Sequence, residues 1–153
     1  FSKAYKSISW ISVVMIAAMI PMGVAIQKTG AAEMISNSLI SFLGKENPTL
    51  LLGGVFLLTT TFSQFINNSA TAVLMTPIVI MAAATLNVSP EPLLITVAIS
   101  ASTAFLTPIG TTTNAMVMSS GGYKFMDYLK VGFPLLILFV ITTLILVPII
   151  WPF

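Results

Sequence analysis

The stretch FSQFINNSATAVLMTP, residues 62–77, sets four polar side chains, Asn67, Asn68, Ser69 and Thr71, between two of the most apolar runs of the chain. Hydrocarbon offers a carboxamide no water, and an unpartnered polar group there is costly. The flanking arms are Thr49–Phe65 and Ala70–Leu86, 17 residues each. As helix each would reach about 25 Å, the short end for a full span. The 49–86 unit therefore reads as two spans or as one re-entrant hairpin with a polar tip.

The whole composition points to a bilayer. Of 153 residues, 57% are hydrophobic and 7% are charged, and the mean hydropathy is +1.05. Soluble domains carry about 25% charged residues. Six lysines and four acids cannot cover a water-facing surface. A net charge of +2 with scattered lysines gives no nucleic-acid footprint. Without Cys there is no disulfide framework or thiolate site, and without His the usual acid–base group and metal ligand are missing. Zinc sites and His-dependent hydrolysis are excluded, and no enzyme activity is expected. The chain opens on Phe1, so a fragment of a longer protein is expected. Lys3 and Lys6 ahead of an apolar run resemble the start of a signal peptide, but the run is long and further spans follow.

The remaining elements follow from the apolar runs. Residues 8–27 are expected to cross the membrane, with a kink near Pro21 and Gly23. Residues 31–43 read as a short interfacial helix carrying Glu33, Asn37 and Ser41 on one side. Residues 93–118 read as a broken helix, apolar from Leu93 to Leu106 and resuming at Ala115–Met118. The segment 119–130 reads as a loop with an amphipathic part whose Tyr123, Phe125 and Tyr128 suit the membrane–water boundary. Residues 131–152 form the last span. This order puts Lys3, Lys6, Lys124 and Lys130 on one side and Lys28 and Lys45 on the other. The lysine-rich side, with the N-terminus, is then cytoplasmic and the C-terminus outside, in a plasma (inner) membrane.

The break in 93–118 is TPIGTTTN, residues 107–114. Like the 67–71 tip it is rich in hydroxyls and amides and holds no charge. Irregular backbone at membrane depth is tolerated only when buried in protein or lining a cavity. Neutral oxygens suit a dehydrated monovalent cation. A helix that stops frees carbonyls, and the helix that follows presents N–H groups suited to an anion. Broken helices serve secondary transporters in this way. The residues themselves leave a second reading open. Asn67 and Asn68 are also good caps for a helix over Ala70–Leu86, and Pro108 with Gly110 also fits a simple kink. No acid lies within a span, so a relay of buried carboxylates finds no support.

SQFINNSATAVLMTPI (63–78), followed by TPIGTTTNAMVM (107–118), resembles the C-terminal inverted repeat of the divalent anion:sodium symporter family. That family belongs to the ion transporter superfamily of citrate- and sulfate-type permeases. GGYKFMDYLKVGFPL (121–135) is similar to its members with cytoplasmic regulatory domains. The resemblance implies an all-α integral membrane fold, here one transmembrane domain fragment over 1–153 holding a re-entrant helical hairpin and a discontinuous transmembrane helix. It implies Na⁺ as the coupling ion, with no other cofactor, at Ser63, the Ile66 carbonyl, Asn67, Asn68 and Gly110. It places Asn68, Ser69, Thr111, Thr112 and Asn114 against the anion. The family tip reads Ser-Asn-Thr, whereas this chain has Asn67-Asn68-Ser69. The family loop reads Thr-Pro-Pro-Asn, whereas this chain has Thr111-Thr112-Thr113-Asn114.

The expected function is secondary active transport of a small divalent anion, a di- or tricarboxylate or sulfate, coupled to Na⁺ by alternating access. The expected partners are that anion, Na⁺, the lipid bilayer, the missing N-terminal half of the same transporter and a second copy in a homodimer. The alternatives are an arsenite or other anion permease, a cation antiporter of the same superfamily, or a non-transporting membrane subunit.

Overall fold

A computed structural model describes residues 10–43 and 47–153. These residues form helices, turns and loops, with no strand among them. The helices are α1 (Trp10–Lys28), α2 (Ala31–Leu43), α3 (Pro48–Ser63), α4 (Asn68–Leu86), α5 (Glu91–Ala101), α6 (Thr112–Gly121) and α7 (Phe125–Ile150). Lys3, Lys6, Lys45 and Glu46 lie outside the described residues, as does the start of the 8–27 segment.

Local chemistry sets the ends of the central pair. Pro48 opens α3 where its missing N–H is no loss. Asn47 caps it, its Oδ1 accepting from the Thr49 N–H at 3.2 Å. α3 stops at Ser63. Asn67 then adopts an extended conformation, and its Oδ1 accepts from the Ala70 N–H at 2.8 Å. Such a cap contributes about 1 kcal/mol. α4 ends at Leu86, and the capping Asn87 after it has a left-handed φ of 58°, as Asn tolerates at a helix C-terminus.

α3 packs most extensively on α5, and α4 packs on α1, α2 and α5. The core is apolar at one end. Leu51, Leu52 and Val55 of α3 meet Met75, Ile78, Val79 and Ala82 of α4 and Leu93 and Val97 of α5, all buried. Towards the C-terminal ends of α3 and α5 the buried residues become polar: Thr59, Thr60, Ser63 and Gln64, with Thr96, Ser100 and Thr103. α4 and α7 are long and apolar enough to cross a membrane, and α3 and α5 are shorter apolar helices.

Two expected boundaries move. α5 ends at Ala101, not Leu106, because the Thr103 hydroxyl donates to the Ser100 carbonyl at 2.7 Å and turns the chain out of the helix. The break is thus Ser102–Thr111, and Asn114 belongs to the first turn of α6. Residues 125–130 are helix rather than loop and continue without interruption into the last apolar segment. Asp127 starts that helix by accepting from the Lys124 N–H at 2.8 Å.

Candidate functional site: two helix breaks in contact

The two uncharged breaks lie 40 residues apart in sequence and meet in space. Gln64, one residue beyond α3, is 5% exposed and sits between them. Its Nε2 donates to the Thr60 carbonyl at 3.1 Å and to the Thr103 carbonyl at 3.2 Å. Its Oε1 accepts from the Leu106 N–H at 3.0 Å. Its backbone carbonyl accepts from the Thr107 hydroxyl at 2.8 Å, and the same oxygen of Thr107 accepts from the Gly110 N–H at 3.2 Å.

Gly110 completes the contact by having no side chain. A Cβ there would lie 2.7 Å from the Ser63 carbonyl and 2.7 Å from the Ala104 Cβ. The loop is held from the other side by α7. A Cβ on Gly132 would run into the Phe105 carbonyl. The Phe105 ring meets Phe139 edge-on, with centroids 5.2 Å apart.

Ser63 is buried, and its hydroxyl donates to the Ala101 carbonyl at 2.6 Å. That bond uses its one hydrogen. Asn68 Oδ1 lies 3.4 Å from the Ser63 hydroxyl oxygen, a longer second acceptor for that hydrogen. The adjacent asparagines divide their work: Asn67 caps α4 and Asn68 turns towards α3. The cap that the sequence offered for this pair is made by Asn67. Thr71, one turn after Asn68 on the same helix, is fully buried, and its hydroxyl has no partner among the described residues.

The other break supplies a second helix start. Thr111 Oγ1 caps α6 by accepting from the Asn114 N–H at 3.2 Å. The Asn114 amide donates to the Ala104 carbonyl at 2.8 Å and to the Thr107 carbonyl at 3.1 Å. Both of its amide hydrogens serve the loop, and Oδ1 is its remaining polar atom. The Tyr128 hydroxyl donates to the Asn114 carbonyl at 2.8 Å.

Ser63, Asn68 and Gly110 are thus brought together, while Ile66 is half-buried on the turn between α3 and α4. Ser69 and Thr112 are exposed and Thr111 is half-buried. α4 and α6 make no close approach, so Ser69 and Thr112 stand apart. A cavity of about 340 Å³ opens between Phe105, Asn114, Tyr123, Asp127 and Tyr128. It is mainly apolar, which does not suit an anion.

Gln64 and Tyr128 are the residues that the sequence did not assign. Gln64 stood in the quoted motif, and its position at the end of an apolar run was the available signal. Tyr128 read as an interfacial aromatic, and no local pattern ties it to residue 114.

The sequence pattern of the family described as citrate transporter matches residues 1–152. The chain belongs to the citrate transporter family. Its relatives are transporters rather than enzymes. It is 41% identical over 150 residues to the uncharacterized transporter YfbS of Escherichia coli, covering 98% of this chain and 25% of that protein. It is 33% identical over 147 residues to the uncharacterized transporter sll0640 of Synechocystis, covering 96% of this chain and 24% of that protein. It is 29% identical over 135 residues to the probable sodium/sulfate cotransporter 3 of Chlamydomonas reinhardtii, covering 86% of this chain and 15% of that protein. The chain spans about a quarter of the length of the first two relatives. Family membership makes this an integral membrane chain, as the apolar helices α4 and α7 also suggest.

Proposed function

We propose that this chain supplies one half of the transport site of a secondary carrier that moves a small divalent anion, sulfate or a di- or tricarboxylate, together with Na⁺. The observation that carries the proposal is the contact between the two uncharged breaks, made by Gln64, Thr107 and Gly110. The probable sodium/sulfate cotransporter 3 and the sodium/sulfate cotransporter 1 of Chlamydomonas supply the substrate class and the ion by likeness.

In this reading the cation lies between the end of α3 and the start of α4. Ser63 Oγ and Asn68 Oδ1 lie 3.4 Å apart, a long contact beside the shorter bond from Ser63 to Ala101. A cation holding oxygens at about 2.4 Å, the range for Ca²⁺ and so for ions of its size, has neighbouring ligands about 3.4 Å apart at right angles. The Ile66 carbonyl, Asn67 and the Gly110 backbone complete the proposed shell.

The anion is proposed to use the free N–H groups and hydroxyls at the starts of α4 and α6, from Asn68, Ser69, Thr111 and Thr112. Asn114 contributes by fixing the loop through its two donated bonds. Because α4 and α6 stand apart in this chain, the rest of the transporter is proposed to close the anion site. α3 has 16 residues and reaches about 24 Å, less than the roughly 30 Å hydrocarbon layer. That length supports a re-entrant hairpin of α3 and α4, with α5 and α6 as a discontinuous helix in one inverted repeat. The full carrier is proposed to be a homodimer.

Lys124 and Lys130 place the α6–α7 connection on the cytoplasmic side in this reading. A single cysteine at position 124 of the full-length protein should resist a membrane-impermeant thiol reagent in intact cells, and labelling from outside would reverse the orientation. Transport itself is tested by uptake of radiolabelled sulfate, succinate and citrate into proteoliposomes holding the full-length protein. Uptake of at least one of them should need an inward Na⁺ gradient. Equal uptake of all three without Na⁺ would refute the coupling.

A further inference from the structure

We propose that Gln64 is a positioning residue for the proposed cation site, setting the Thr103–Gly110 loop at the height where Gly110 meets Ser63. The inference rests on the cation-coupled reading above. A glutamine side chain has two amide hydrogens and one carbonyl oxygen. Both hydrogens are used, on the carbonyls of Thr60 and Thr103, and the oxygen is used by the Leu106 N–H. No donor of Gln64 is left for a ligand, and the side chain is almost wholly buried. Its contacts run instead to both sides of the site. Thr60 lies in the last turn of α3, whereas Thr103 and Leu106 lie in the loop that ends at Gly110.

The bond from Thr107 to the Gln64 backbone carbonyl closes the link, and Thr107 in turn holds the Gly110 N–H. One side chain therefore fixes the separation between Ser63 and Gly110, two proposed cation ligands that it does not itself complete. The chemistry also requires an amide. Its Nε2 faces two carbonyl oxygens, which repel a carboxylate oxygen at the same place. A glutamic acid could supply a single donor there, and only when protonated, a form that burial favours.

The test uses the full-length transporter in proteoliposomes, with Na⁺ titrated against uptake of whichever of sulfate, succinate or citrate the wild type takes up. Amide hydrogen exchange is measured alongside across residues 103–110. Gln64→Met keeps the volume and loses three hydrogen bonds. It should raise the Na⁺ concentration for half-maximal uptake by at least about tenfold. The half-saturating anion concentration at saturating Na⁺ should change by less than about threefold. Its Leu106 amide should exchange faster than in the wild type. Gln64→Glu should resemble Gln64→Met near pH 8 and regain Na⁺ affinity towards about pH 5.5, as the carboxyl gains its donor.

A part that only supported folding would lower the amount of active protein without moving the Na⁺ dependence of what remains. An unchanged Na⁺ midpoint in Gln64→Met, or a pH-independent Gln64→Glu, would overturn the proposal. If Gln64→Met fails to insert, the pH profile of Gln64→Glu decides. If wild-type uptake ignores Na⁺, the cation-coupled reading fails instead. The exchange at Leu106 then judges the positioning separately, and an unchanged rate overturns it.

Discussion

At the scale of single residues, adjacent asparagines prove to have unlike roles. Asn67 spends its oxygen on the Ala70 N–H, while Asn68 sets its oxygen against Ser63. From the sequence, both were equally good caps and equally good ligands, because the same carboxamide chemistry serves either end. Only the extended conformation of Asn67 separates them. Gln64 was harder to read. Its partners Thr103 and Leu106 lie about forty residues on, and no local pattern reports such a contact. Thr71 carries a prediction at this scale. Its buried hydroxyl has no partner among the described residues, unlike Thr59, Thr76 and Thr96, which donate to carbonyls four residues back. Thr71→Val keeps the shape and removes the unpaired group. It should raise the stability of the detergent-solubilised transporter by about 1–3 kcal/mol, read as a higher melting temperature. A lower melting temperature would show that the hydroxyl is engaged.

At the scale of elements, the helical segments and their polar interruptions were legible in hydropathy and turn residues, but two boundaries were not. Residues 102–106, STAFL, are as compatible with helix as the residues before them. α5 stops where the Thr103 hydroxyl turns back on the Ser100 carbonyl and meets the Thr60 hydroxyl at 2.8 Å. The start of α7 was hidden because Lys124 is an unusual residue to precede a helix, and the signal sits in Asp127 instead. Gly110 matters as part of an element contact rather than as a turn. Gly110→Ala would push its methyl against the Ser63 carbonyl and the Ala104 side chain. Backbone atoms cannot swing aside, so the loop must lift away from α3. Uptake by the full-length protein should fall at least about tenfold, with the proposed cation affinity the quantity that changes. Wild-type uptake by Gly110→Ala would mean that the contact between the breaks has no part in transport.

At the scale of the whole molecule, seven described helices bury an apolar core at one end and a ladder of hydroxyls and one amide at the other. That gradient suits the half-site proposed above. Apolar packing holds the helices, and polar groups collect where the helices break. Composition made the membrane class legible. The absence of His and of any acid within the apolar runs left neutral oxygens and helix ends as the available chemistry. How α6 is covered was not legible, since among the described residues no other helix packs along it. The Na⁺ dependence of anion uptake by full-length Asn68→Ala in proteoliposomes, set against the wild type, tests the joint site most directly. The account predicts Na⁺-driven uptake by the wild type and its loss in Asn68→Ala at equal membrane insertion; normal Na⁺-dependent uptake by the variant would contradict it.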